Sequence, residues 1–136
     1  MKPITITDLK RISNPKGDIY HALKCSEEQF SVFGEAYFTT IIQDEIKGWK
    51  KHLKMEMNLI VPVGDVTFYV YDEKANKHNC YRINAKNYSR LTVPAGYWMA
   101  FKGHDPQLNL VLNIASLEHD PSEAVNTDIS TFKLEN

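Results

Sequence analysis

The densest run of chemically useful side chains is Lys47-Gly48-Trp49-Lys50-Lys51-His52-Leu53-Lys54-Met55-Glu56, closed by Gly64. On a strand, residues two apart share a face. Lys50 and His52 therefore project together, and Trp49 and Lys51 project to the other side. Glu56 joins the first pair if the chain stays extended. A histidine beside a cation suits general acid–base chemistry. A second stretch, Arg90-Leu91-Thr92-Val93-Pro94-Ala95-Gly96-Tyr97-Trp98-Met99, brings in Arg90 and Trp98. Tyr71, Tyr81 and Tyr97 are the hydroxyls available as a general acid, with Tyr71 taken first. Trp49 and Trp98 offer flat faces for stacking, although indoles of this kind serve as core equally well.

Those side chains need strands to aim them, and strand signals dominate the chain. Val66, Phe68 and Val70 point one way and Thr67, Tyr69 and Tyr71 the other, as in a barrel strand with large groups on both faces. Ile4 and Ile6 alternate with polar residues, Tyr37 to Ile42 is β-rich, and Arg90–Val93, Tyr97–Phe101 and Leu108–Ala115 read as further strands. Strand character resumes at Cys80 after a polar connection from Asp72 to Asn79. Asn14-Pro15-Lys16-Gly17-Asp18 is a turn. Ser26–Phe30 reads as one helical turn, and Pro121 starts another between His119 and Ala124. Asn126–Asn136 reads as an extended, partly exposed end. Many short strands with frequent turns predict an all-β, closed or sandwiched architecture.

The chain has 136 residues, 43% hydrophobic and 24% charged, with a formal charge of −1. These values predict one globular domain over 1–136 and give no general attraction to nucleic acid or to an anionic membrane. No apolar run approaches the roughly 20 residues of a membrane span. Two distant cysteines, Cys25 and Cys80, without a CxxC pattern, predict reduced thiols and a cytoplasmic location.

The two stretches resemble the paired motifs of the cupins. The first motif, His-x-His, three residues, Glu, then Gly, stands here as Lys50-x-His52-x-x-x-Glu56 and Gly64; the second stands as Pro94-Ala95-Gly96. Within cupins the chain resembles the RmlC-like group of dTDP-4-dehydrorhamnose 3,5-epimerases and dTDP-sugar 3,4-ketoisomerases, over roughly residues 14–128. Lys16-Gly17, Lys47-Gly48-Trp49-Lys50 and Asn87–Gly96 carry that resemblance. It implies a double-stranded β-helix, the jelly-roll cupin barrel, and a homodimer to which Ile4 and Ile6 contribute. Several positions depart from the pattern. Lys50 stands where the epimerases place their base histidine. Met99 stands where many cupins place a histidine, and Asn113 falls near the epimerases' general-acid tyrosine. Asp128 matches the late aspartate that pairs with the base.

The resemblance implies a nucleotide-linked 4-keto-6-deoxy sugar as substrate. Its ketone acidifies the neighbouring C–H bonds, so the enzyme needs a base and a group for the enolate oxygen. His52 is the expected base, and Lys50 holds the oxygen or the diphosphate. Lys16, Lys47, Glu56, Tyr81, Arg90 and Asn113, with both tryptophans, are the expected substrate contacts. No metal and no cofactor are expected: a cupin metal site wants several histidines, only His52 and Glu56 remain, and Lys50 repels a cation. Two other readings stay open, a non-catalytic carbohydrate-binding or sugar-nucleotide-binding cupin and a metal-dependent small-molecule cupin.

Overall fold

The computed structural model describes residues 1–135; Asn136, the end of the expected extended tail, lies outside the described residues. The strands are β1 (Thr5–Asp8), β2 (Arg11–Ile12), β3 (Ile19–Tyr20), β4 (Glu35–Thr40), β5 (Ile46–His52) and β6 (Met57–Val63), followed by β7 (Asp65–Asp72), β8 (Lys77–Asn84), β9 (Ser89–Val93), β10 (Trp98–Gly103), β11 (Leu110–Ala115) and β12 (Ala124–Asn126). They form two five-stranded antiparallel sheets, ordered β1-β9-β6-β11-β4 and β12-β5-β10-β7-β8, and a small β2-β3 hairpin. Consecutive strands β4 to β7 alternate between the two sheets, which is the jelly-roll arrangement. Two short 3₁₀ turns, Pro121–Glu123 and Ile129–Thr131, complete the regular structure.

The alternation on β7 now has a direction. Val66, Phe68 and Val70 are buried in the space between the sheets, where they meet Leu59 and Val61 of β6, Leu91 and Val93 of β9, and Val111 of β11. Tyr71 lies on the opposite face, in a second cluster with Trp49, Trp98 and Ala100 that Ile129, Phe132 and Leu134 cover. The C-terminal residues thus shield one sheet. The other sheet is shielded by the segment around residues 21–29. There Arg90, 0% exposed, donates to the Ala22 carbonyl at 2.6 Å and pairs with Glu27 at 2.6 Å. The Glu27 carboxyl is raised by burial and lowered more by this guanidinium and by the Lys24 N–H, so it sits below the usual range.

Two expectations change. Ser26–Phe30 forms turns rather than a helical turn. β8 begins at Lys77, because Asp72 pairs with Lys77 and leaves only residues 73–76 for the turn, with Asn76 at φ 49°. β6 is central despite Pro62: its pairing with β9 ends at Ile60 and its register with β11 shifts between Leu110 and Leu112, so the missing N–H costs no ladder bond to β9. His78 and His104 are half-buried; His78 stacks on Tyr71 at 4.3 Å, and His104 Nε2 lies 2.7 Å from Thr67 Oγ1.

Candidate functional site

A cavity of about 340 Å³ lies between the sheets. β4 and β12 are the edge strands on one side of the barrel, and Tyr37 and Thr39 of the first and Asn126 and Thr127 by the second form its lips. Met57, Leu59, Phe68, Met99 and Val111 make an apolar lining, and Lys47, Lys50, His52 and Asn113 supply most of the polarity. Lys50 and His52 share the inner face of β5, as their spacing requires. Gly48 lets β5 press against β10: at φ 146°, a Cβ there would sit 2.5 Å from Ala100 Cβ. The β5–β10 register shifts at this point, between Met99 and Phe101.

His52 is held by Glu123. Its Nδ1–H donates to Glu123 Oε1, and both side chains are buried. The other carboxylate oxygen accepts the backbone N–H groups of Lys54 and Met55 at 3.1 and 3.2 Å, and the Glu123 carbonyl accepts Leu53 N–H at 2.7 Å. The 3₁₀ turn that presents Glu123 starts at Pro121 and is capped by Asp120, whose side chain accepts Ser122 N–H at 3.0 Å. Burial raises the Glu123 carboxyl, but the bonds from His52, Lys54 and Met55 outweigh it and hold the group below the usual carboxylate range. With Nδ1 fixed as the donor, Nε2 carries the ring's lone pair. A carboxylate, an oriented imidazole and an adjoining cavity make a base of defined direction.

The remaining polar groups divide into committed and uncommitted. Lys47 Nζ donates to the Thr40 carbonyl at 2.7 Å and approaches Thr39 Oγ1 at 3.3 Å. Lys50 makes no side-chain hydrogen bond or ion pair among the described residues, and no carboxylate lines the cavity. Its ammonium is thus available to an anionic or electron-rich ligand oxygen. Asn113 Nδ2 donates to Tyr37 Oη at 3.0 Å. Since that oxygen accepts the amide, its own O–H is available as a donor on the sheet opposite His52.

The structure brings together only part of the expected set. His52, Lys50, Lys47 and Asn113 surround the cavity. Tyr71 does not: it stacks between His78 and Phe132, with its hydroxyl donating to Asn76 at 3.2 Å, because odd-numbered β7 residues face outward. The Trp49 backbone borders the cavity, but its indole packs outside against Phe132, and its Nε1–H donates to the Ile129 carbonyl at 3.0 Å. Trp98 faces the same way, bonded to Glu73. Glu56 lies beyond the bend at 53–54, so the chain does not stay extended, and its carboxylate meets Lys2 at 3.7 Å. Arg90 is spent on Glu27, Tyr81 packs on the main core, and Lys16 sits in an exposed turn. Tyr97 bonds the Lys2 carbonyl. Asp128 caps the turn at 129–131 instead of pairing with His52. Glu123 stands beside His52 where Asp128 was expected, and Tyr37, not Tyr71, borders the cavity. The helical turn at Pro121 was the sole local signal near Glu123. Among the described residues no three His, Cys, Asp or Glu side chains cluster as a metal site, and no helix is long and apolar enough to cross a membrane.

No family model matches the sequence, and no curated protein matches it. Solved structures do. A dTDP-sugar isomerase from Desulfovibrio desulfuricans G20 is 26% identical, with a TM-score of 0.89 over 94% of this chain and 85% of that one. QdtA, a sugar 3,4-ketoisomerase from Thermoanaerobacterium thermosaccharolyticum solved with TDP, is 17% identical, with a TM-score of 0.77 over 90% and 86%. A dTDP-4-dehydrorhamnose 3,5-epimerase from Sulfolobus tokodaii is 15% identical, with a TM-score of 0.83 over 96% and 80%. The fold is that of the RmlC-like cupins, as the two sequence motifs imply.

Proposed function

We propose that the protein is an isomerase or epimerase of a dTDP-linked 4-keto-6-deoxy sugar, working by metal-free proton transfer beside the ketone. The observation that carries this reading is the His52–Glu123 pair facing a largely apolar cavity, in a fold whose solved neighbours act on dTDP-sugars. At about 340 Å³ the cavity is at the small end of ligand sites. It suits the hexose ring, with the nucleotide lying across the lips formed by Thr39 and Thr127.

His52 Nε2 takes the proton from the carbon next to the ketone, and Glu123 stabilises the imidazolium that results. Lys50 faces the oxygen on which negative charge develops, and Tyr37 O–H donates a proton from the opposite sheet. A 3,4-ketoisomerase needs the base to return the proton to the neighbouring carbon while a second group serves the oxygens; an epimerase needs the proton returned from the other face. The chain would act in the cytoplasm, in deoxysugar or surface-polysaccharide synthesis, as a homodimer. Ile6, 45% exposed on edge strand β1, is the residue left to extend that dimer, since Ile4 packs on its own core.

The test is incubation with dTDP-4-keto-6-deoxyglucose in D₂O, followed by proton NMR. Loss of the C3 or C5 signal supports the reading; loss at C5 points to an epimerase, and movement of the ketone from C4 to C3 points to a ketoisomerase. Binding without exchange points to a binding module. Absence of both removes the substrate assignment.

A further inference from the structure

We propose that Phe132 is a positioning residue for the site, a latch outside the barrel that holds the cavity's C-terminal lip in place. The inference rests on the dTDP-sugar substrate proposed for the cavity. It begins with the course of the chain after Glu123. β12 runs antiparallel to β5, with Ala124 opposite His52 and Asn126 opposite Lys50. Asn126 and Thr127 then line the cavity. The segment that carries the partner of the base therefore also supplies one lip of the site.

Three residues of edge pairing are a weak hold for such a lip. Residues 127–132 add the rest of the hold. Thr127 and Trp49 exchange backbone hydrogen bonds at 3.1 and 3.2 Å, and Thr127 Oγ1 lies 2.9 Å from Thr131 Oγ1. The Trp49 indole then bonds the Ile129 carbonyl. Phe132 closes the arrangement. Its ring centroid lies 4.6 Å from that of Tyr71, 5.3 Å from Trp98 and 5.8 Å from Trp49. None of these rings points into the cavity, so Phe132 touches no substrate. It acts through the chain between itself and Asn126.

Glu123 is fixed separately, by Leu53, Lys54 and Met55. Releasing Phe132 therefore loosens the lip and leaves the base and its carboxylate in place. This separation gives a signature that general destabilisation does not share: substrate capture suffers and the proton-transfer step does not. The chain carries its own readout, because its two tryptophans both contact Phe132.

The experiment compares the full-length protein with Phe132→Ala, Phe132→Leu and Phe132→Tyr, by steady-state turnover of dTDP-4-keto-6-deoxyglucose and by tryptophan emission. Phe132→Ala is expected to raise KM about tenfold, the equivalent of one lost aromatic contact, with kcat within about twofold, an unchanged pH profile and red-shifted emission. Phe132→Tyr restores KM. If Phe132→Ala does not fold, Phe132→Leu reports instead, with a smaller rise in KM. An unchanged KM in a folded variant overturns the latch, as does a fall in kcat that tracks a lower Tm. Wild-type protein that turns over its substrate while the variants match it sinks the latch alone. Wild-type protein with neither turnover nor binding sinks the substrate reading, and the latch with it.

Discussion

The barrel has a packed half and a hollow half, and β7 and β5 typify them. The strands lie in one sheet with only β10 between them. The inner face of β7 carries Val66, Phe68 and Val70, each at 0 or 1% exposure; the inner face of β5 carries Lys50 and His52. Phe68 stands at the boundary, part of the core and part of the cavity wall. The outer faces differ less: both add aromatic residues to one cluster under the tail. The same strand geometry thus builds stability in one half and chemistry in the other. What separates them is whether the inward residue finds apolar neighbours or an opening between edge strands.

Substitutions should divide along that line. In the hollow half, His52→Asn keeps a side-chain donor for Glu123 but removes the proposed base. Exchange measured in D₂O should fall by about 10²–10⁴-fold, with Tm nearly unchanged. At the boundary, Phe68→Ala should cost about 3–5 kcal/mol in urea unfolding, since the ring is fully buried on its core side. A stable Phe68→Ala protein would mean the cavity extends further into the barrel than the division allows. Glu123→Gln spans both halves. It should lower stability at neutral pH by about 1.5–3 kcal/mol, the range for hydrogen bonds to a charged group, and slow turnover as well. Because the folded carboxyl sits below its ordinary range, its contribution is complete at neutral pH. The gap in Tm between wild type and variant should shrink as pH falls past the ordinary carboxylate range and close below the folded value. Lys50→Gln should be the mildest for the fold, within about 0.5 kcal/mol in urea unfolding, while turnover falls about tenfold. A change in stability with no change in rate would move Lys50 into the packed half.

Period-two spacing made much of this legible. It placed Lys50 with His52 and Trp49 with Lys51, and it separated the two faces of β7. It could not say which face of β7 looked inward, because large side chains occupy both. That is why Tyr71 was expected at the site and Tyr37 was not. The cupin motif placed Glu56 with His52, but the bend at 53–54 turns it away. Glu123 was illegible as the partner of His52 because the two are 71 residues apart and nothing local marks the pair. β6 carries Pro62 in a central strand, and only the ladder shows that its nitrogen needs no partner in β9.

The separation of His52 from Glu123 also bears on how the protein forms. Thr5 pairs with Thr92, Met57 with Ala115 and His52 with Ala124. Apart from the β7–β8 hairpin, the ladders of the two sheets join residues distant in sequence, so folding is expected in the slow, millisecond-to-second class of β topologies. On a ribosome, His52 is made long before the residue that orients it. A nascent chain that has not yet reached Glu123 can hold most of the barrel's strands and still leave His52 without its carboxylate partner.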